Sequence, residues 1–238
     1  MDFFQVVEKR RSVRKFKRVK MPEEDVRRIM EAGRRAPTDA TLHLWTAVRV
    51  VDEAKRVEIA ELISQPHVAE ASEFFIFLDD LYRLSRLLEH RGRELVGDKF
   101  SLFVFAAVDA ALAAENMALA AVALGYGSCF IGAVQNAAEQ IIEMLKLPRF
   151  TYPLFGLAVG VPDESPGERP RLPLDMLFHV DAYRDYSEEE LAEAYRVMSP
   201  ITRSGDWLRV LERYAASGGY FEKRSASMRE LLKKQGLV

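Results

Sequence analysis

The chain has 238 residues, enough for one large domain or two small ones with a substantial core. Its 49% hydrophobic and 29% charged residues exclude a disordered polyelectrolyte, and its single cysteine, Cys129, excludes an internal disulfide framework, so a reducing, cytoplasmic setting is expected. The net charge is only −2, yet eight of the twelve residues in KRRSVRKFKRVK (Lys9–Lys20) are cationic. Everything outside that segment is therefore distinctly acidic, which argues against a nucleic-acid partner and for a small, focused anion.

In chain order, DFFQVVEKR spaces Phe3, Val6 and Val7 as a short amphipathic helix does. The apolar residues precede the charges, the reverse of a signal peptide. Within the cationic run, Val13, Phe16 and Val19 predict a segment packed into the fold, with Arg11, Ser12 and Arg14 as anion-binding donors at a helix-to-strand turn. Pro22 and three acids open a second helix that runs to about Arg35, before Pro37. Strands are expected at TAVRVVD (46–52) and EFFIFLDD (73–80), with DEAKRVEIAELI helical between them. Residues 81–98 read as a charged, weakly helical, mobile excursion.

Ten of the 25 residues from Lys99 to Ala123 are alanine, and this stretch reads as a long helix, apolar nearly all round and buried at the centre of the fold. The uncharged run from Asn116 to Ala138 carries Gly125, Gly127 and Gly132, so it reads as helix, turn and strand rather than a membrane span. Its glycines follow a helix and precede a strand, the wrong order for a Rossmann turn. GSCFIGAV is then a strand, NAAEQIIEMLKL a helix and YPLFGLAVG (152–160) a buried strand. VPDESPGERPRLP is a stiff loop that carries Arg169 and Arg171, and the tail from 187 to 238 forms a helical extension. The fold expected is α+β: one domain over 1–238, a sandwich with a small central, mostly antiparallel sheet flanked by helices. His43, His67, His90 and His179 have no metal-ligand spacing, so no metal site is expected. Cys129 reads as core rather than nucleophile, and any redox chemistry must come from an organic cofactor.

Five segments in order, RRSVRKF, APTDATLHLW, QPHVAEASEFFIF, GYGSCFIGAVQN and ERPRLP, resemble the flavin-dependent nitroreductases. The likeness is greatest to the NADPH-dependent, oxygen-insensitive nitroreductase and flavin reductase branch, and it spans about residues 5–180. The resemblance implies FMN bound at the interface of an intertwined homodimer. It places Arg10, Arg11, Ser12 and Arg14 on the phosphate, ribityl chain and pyrimidine edge. Thr38, Asp39 and Ala40 fall where the family lays a small polar stretch on the partner's flavin, although serines are usual at Asp39 and Ala40. Gln65 matches a contact to the ring's polar edge. Phe130, Ile131, Gly132 and Ala133 match the strand facing the flavin N5, and Arg169 and Arg171 match the phosphate clamp. Arg203 and Arg209, in a loop shorter than the branch's usual one, are the cations available for a nucleotide 2′-phosphate.

The implied activity is ping-pong two-electron hydride transfer from NAD(P)H to nitroaromatics, quinones or free flavins, with FMN carrying the chemistry and no protein side chain as catalyst. Two alternatives stay open: dehalogenation or flavin fragmentation on the same fold, and a non-enzymatic FMN-binding protein.

Overall fold

The computed structural model describes residues 1–238. They form two compact units, Met1–Pro166 with Met228–Val238, and Gly167–Ser227.

In the first unit, helix α1 (Phe3–Lys9) starts from an Asp2 capping box, with Gln5 closing the reciprocal bond. Helix α2 (Glu23–Arg34) carries Glu23, Glu24 and Asp25 in its first turn, where the helix dipole favours acids. Strand β1 (Trp45–Arg49) is shorter than its sequence pattern, because Asp52 accepts the N–H groups of Ala54 and Lys55 and so starts helix α3 (Glu53–Leu62). A short helix, α4 (His67–Glu70), leads into strand β2 (Glu73–Asp80), which is buried along its whole length. Helix α5 (Tyr82–Glu89) occupies part of the charged stretch. Helix α6 (Phe100–Ala123) ends at a turn where Gly125 takes φ 89°, and strand β3 (Gly127–Ile131) follows. The expected strand GSCFIGAV stops at Ile131: residues Gly132–Ala137 are a 3₁₀ turn, and helix α7 (Ala138–Leu145) begins two residues later than its pattern suggested. Strand β4 (Thr151–Gly160) completes the sheet.

The sheet is wholly antiparallel, in the order β1-β2-β4-β3. Val48 lies opposite Ile76, Phe75 opposite Leu157 and Cys129 opposite Ala158. Between Phe77 and Leu78 the register shifts, since Phe77 pairs with Phe155 but Leu78 with Pro153. Pro153 has no N–H for a ladder, so a bulge is a natural place for it. The carbonyl of Leu154, the extra residue, accepts Gln135 Nε2–H at 2.9 Å.

Alternation along β2 splits the core in two. Phe75 and Phe77 join Leu157, Val159 and the alanines of α6 on one face. Phe74, Ile76 and Leu78 join Ala158, Ile131, Ile59 and Ile141 on the other. Cys129 is a buried core residue of that second face.

Helix α6 is central, but only one side of it is covered within the chain. Ala106, Ala110, Ala113, Ala114 and Ala118 face the sheet and α2. Val104, Phe105, Val108 and Leu112 stand on the outer side, each more than 40% exposed.

The second unit is a loop followed by helices α8 (Leu174–Leu177), α9 (Glu188–Met198) and α10 (Leu208–Ala215), then the start of α11 (Tyr220–Gln235). A Ser187 capping box opens α9, and Glu190 of its first turn holds the Arg184 guanidinium through two hydrogen bonds of 2.9 and 2.6 Å.

Candidate functional site

The cationic segment closes one end of the sheet. Ser12 bridges in parallel to Ser128 at the start of β3, and Val13 N–H donates to the Ser128 carbonyl at 3.0 Å. Phe16 bridges to Pro162 just beyond β4, and Lys17 N–H donates to the Val161 carbonyl. The Ser72 hydroxyl, just before β2, donates to the Val19 carbonyl at 2.6 Å. Val13 and Phe16 are the buried anchors. Val13 sits so close to β3 that a Cβ on Gly127 would come 2.7 Å from its Cγ2. The apolar residues thus fix the backbone, and Arg14, Lys15, Lys17 and Arg18 stand exposed on it.

Arg10 caps α1 and lies 3.8 Å from the Glu115 carboxylate of α6. The Arg11 guanidinium donates to the Glu8 and Arg10 carbonyls. The backbone N–H groups of Arg14 and Lys15 both donate to the Glu164 carboxylate, which ties the segment to the chain beyond β4. Through the Ser12–Ser128 bridge, Arg11 and Arg14 become neighbours of the strand that carries Phe130 and Ile131. Phe130 is 37% exposed and its ring lies 5.8 Å from that of Phe155. Ile131 is buried, whereas Gly132 is exposed and nothing lies within 4 Å of where its Cβ would be. Ala133 is half-buried beside it. Fixed cations therefore stand next to an open, glycine-bearing backbone, suited to an anionic group joined to a flat ring.

Gln65 is half-buried in the turn between α3 and α4, where its N–H donates to the Ala60 carbonyl at 2.8 Å. Two residues on, His67 is 6% exposed and its Nε2 has no hydrogen-bond partner. Burial pushes its pKa below the ordinary histidine value, and the nearby Arg14 guanidinium pushes the same way, against Glu70 and Glu164. His67 belongs with this cluster. Its only signal in the sequence was its place two residues after Gln65.

Thr38, Asp39 and Ala40 lie elsewhere on the first unit, in the α2–β1 connection. Thr38 precedes a 3₁₀ turn (Asp39–Thr41) in which Asp39 and Ala40 are exposed. The turn is held against α6 by Asp109, which is 1% exposed and accepts Asp39 N–H at 2.9 Å. Asp109 was hidden in the sequence by the apolar helix around it.

Arg169 and Arg171 belong to the second unit and are both exposed. Arg171 curls back to donate to the Arg169 and Pro170 carbonyls at 3.2 and 3.1 Å. Arg203 is exposed in the same unit, and Arg209 pairs with Asp206 at 3.0 Å.

A wholly antiparallel four-stranded sheet, a long helix across one face and a cationic strap at one end define a distinct α+β class. Residues 7–161 match the Nitroreductase family, and the chain belongs to it. It is 34% identical to an NADPH-dependent oxidoreductase of Staphylococcus aureus over 251 aligned positions, covering 99% of this chain and 97% of that one. The fold superimposes on nitroreductase A from Vibrio parahaemolyticus with a TM-score of 0.90 at 29% identity, covering 99% and 98% of the two chains. For the NADPH:FMN oxidoreductase from Vibrio harveyi, solved in complex with NAD+, the TM-score is 0.86 at 29% identity, with 98% and 97% covered.

Proposed function

We propose that this chain is an FMN-dependent NAD(P)H oxidoreductase that delivers two electrons to nitroaromatics, quinones or free flavins. Membership of the nitroreductase family and likeness along nearly the whole length of the NADPH:FMN oxidoreductase and NADPH-dependent oxidoreductase relatives support it. The observation that carries it is the backbone bridge from Ser12 to Ser128, which sets the arginine segment beside the exposed Phe130 and the open Gly132.

These residues fit FMN. Arg10, Arg11, Ser12 and Arg14 supply donors for the phosphate and the polar edge of the ring, and Gln65 supplies an amide for the same edge. Phe130–Ala133 offer a backbone surface without a side chain at Gly132, against which a ring can lie. In the second unit, Arg169 and Arg171 are proposed as phosphate-binding donors by their likeness to the family's clamp, and Arg203 and Arg209 as the cations for the nucleotide 2′-phosphate. Bound FMN supplies hydride acceptance and donation, and the side chains bind, orient and exclude water. No metal and no nucleic acid enter the reading.

The functional unit is proposed to be a homodimer. Val104, Phe105, Val108 and Leu112 form an exposed apolar stripe on a helix already packed on its other side, and Phe3, Phe4 and Val7 of α1 add to the exposed apolar surface. A second copy docked through α6 covers that stripe and brings Thr38–Ala40 towards its partner's flavin. Such obligate interfaces bury on the order of 2,000–5,000 Å².

Electron donor and acceptor share one open side of the ring, so turnover follows a ping-pong scheme. The test is purification and steady-state kinetics. A yellow protein that releases FMN on denaturation and gives parallel double-reciprocal lines with NADPH and a quinone is expected. A colourless protein that ignores added FMN refutes the cofactor assignment, and intersecting lines refute the shared side.

A further inference from the structure

Asp109 is a carboxylate in an alanine-rich surrounding, placed on the face of α6 that packs inward beside Ala106, Ala110 and Ala113. Burying a carboxylate there is unfavourable unless its oxygens find donors. Both do. Oδ1 accepts Asp39 N–H at 2.9 Å and Oδ2 accepts Leu44 N–H at 3.3 Å. The two donors are the two ends of one exposed loop, and no side chain competes for the acid.

Between those ends the backbone is unusual. Ala40, Thr41 and His43 have φ of 43°, 59° and 52°, in the left-handed region that non-glycine residues seldom adopt. Conformations of this kind persist only where the surroundings over-determine them. A second grip comes from the other side. The Arg83 guanidinium donates to the carbonyls of His43 and Trp45, the latter at 2.8 Å, and to Thr46 Oγ1 at 2.9 Å. Asp80 holds that guanidinium at 3.3 Å and accepts a bond from the Thr46 hydroxyl. A carboxylate therefore accepts N–H groups at both ends of the loop, while a guanidinium donates to the His43 carbonyl within it and to the Trp45 carbonyl just beyond it.

We propose that Asp109 is a positioning residue, which fastens the Asp39–Leu44 loop in its strained shape to the same helix that docks the partner copy, with Arg83 as the opposing clamp. Because Val108 and Leu112 on the outer side of α6 flank Asp109 in sequence, any movement of the docking helix carries the loop with it. The loop then reaches the partner's flavin already in shape, so the ordering cost is met at folding rather than on binding. This rests on the reading that Thr38–Ala40 faces the flavin of the partner copy.

The test uses the full-length protein, both as purified and after removal of flavin. Asp109→Asn keeps the size of the side chain but turns one acceptor into a donor that faces an N–H. Arg83→Gln opens the other clamp without touching the core. Amide hydrogen exchange in the flavin-free protein reads the latch directly. Exchange at Asp39 and Leu44 should accelerate about 10- to 100-fold in Asp109→Asn, as for loss of hydrogen bonds to a charged group, while amides of β2 and β4 keep their protection. Arg83→Gln should accelerate the same segment more weakly. In both variants FMN should bind about tenfold more weakly, with the dimer intact by light scattering.

Unchanged exchange across 39–44 in both variants overturns the latch. Faster exchange with unaltered FMN affinity overturns the link to the flavin, and with it the placement of Thr38–Ala40, while leaving the oxidoreductase reading in place. If wild-type protein binds no FMN at all, the cofactor reading fails on its own account, and the exchange data still decide the latch.

Discussion

The cationic strap at residues 9–20 and helix α6 are built in opposite ways. The strap is a run of exposed charge held down by two buried apolar side chains, Val13 and Phe16. Helix α6 is a run of apolar residues that buries a single acid, Asp109, and leaves a greasy stripe outside. In the strap, the apolar minority attaches the element to the fold and the charged majority faces outward. In the helix, the alanines of one side attach it, with Asp109 among them, and the apolar stripe of the other side faces outward. An anion is the proposed partner of the strap, and a second copy that of the helix. The difference teaches where to cut: changing the buried side of either element should cost stability, and changing its exposed side should cost binding.

The largest break is expected at Phe16. It is 5% exposed, bridges to Pro162 and packs where a Cβ on Gly160 would come 3.0 Å from its ring. Phe16→Ala should lower the unfolding free energy by about 3–5 kcal/mol, the usual cost of emptying such a site. Lys15→Ala and Lys17→Ala, on exposed neighbours, should stay within about 0.5 kcal/mol. Urea denaturation of the three variants checks the contrast, and equal losses would show that the strap is not anchored by its apolar residues.

A second acid sharpens the comparison, because it lacks what Asp109 has. Asp79 at the end of β2 is 0% exposed, and neither carboxylate oxygen has a hydrogen-bond partner. Burial, reinforced by the neighbouring Asp80, pushes its pKa up to about 8 from 3.8. The folded state therefore keeps a proton that the unfolded state has lost, between those two values. Stability should fall as pH rises through that window, by about 1.4 kcal/mol per unit, or roughly 3 kcal/mol between pH 5 and pH 7. Asp79→Asn should flatten that dependence and be more stable than wild type near pH 8. Denaturant midpoints from pH 5 to pH 9 measure it, and parallel curves for the two proteins would exclude an uncharged Asp79.

The close fit of strap and sheet is the next test. At Gly127 a methyl group has to displace Val13, since its Cβ would lie 2.7 Å from Val13 Cγ2 and 2.9 Å from Val13 Cβ. Gly127→Ala should cost about 1–3 kcal/mol by overpacking and weaken FMN along with it. Val13→Ala added to Gly127→Ala should recover part of the loss. A double mutant no better than additive would place the strain elsewhere.

Much of this was legible in the sequence, element by element. The alternation and β-branching around residues 46–50 and the unbroken apolar run at 74–78 mark strands, and the alanine-rich stretch marks the long helix. Order within the sheet was not legible, because pairings such as Phe75 with Leu157 join residues distant along the chain. The bulge at Leu154 was equally hidden, although Pro153 was a local hint of irregular pairing. That the strap packs into the fold could be read because Val13 and Phe16 interrupt the charges at regular spacing. Asp109, His67 and Arg83 were missed for a shared reason. Each acts through partners remote in sequence, so its own neighbourhood looked ordinary: an acid in a long helix, a histidine after a proline, an arginine in a charged stretch.

The smallest effect is expected where strap and helix meet directly, at Arg10 and Glu115. Their closest atoms are 3.8 Å apart, beyond the 2.7–2.9 Å of a charge-assisted hydrogen bond, and the side chains are 22% and 47% exposed. Partial burial raises the Glu115 pKa, and Arg10 lowers it only in part, so the acid gains little from its place. Such a pair is worth less than about 1 kcal/mol. Glu115→Gln should therefore leave the denaturation midpoint nearly unchanged. The same substitution releases Arg10 from its only acid and removes a negative charge beside the proposed phosphate site. FMN should then bind somewhat more tightly, and the gain should shrink as salt is raised, because screening weakens both the old repulsion and the new attraction. Fluorescence titration of FMN at low and high ionic strength separates these effects. Weaker FMN binding by Glu115→Gln would mean that Glu115 holds Arg10 in its working position, making this pair a structural joint like Phe16 rather than a chance meeting of two surfaces.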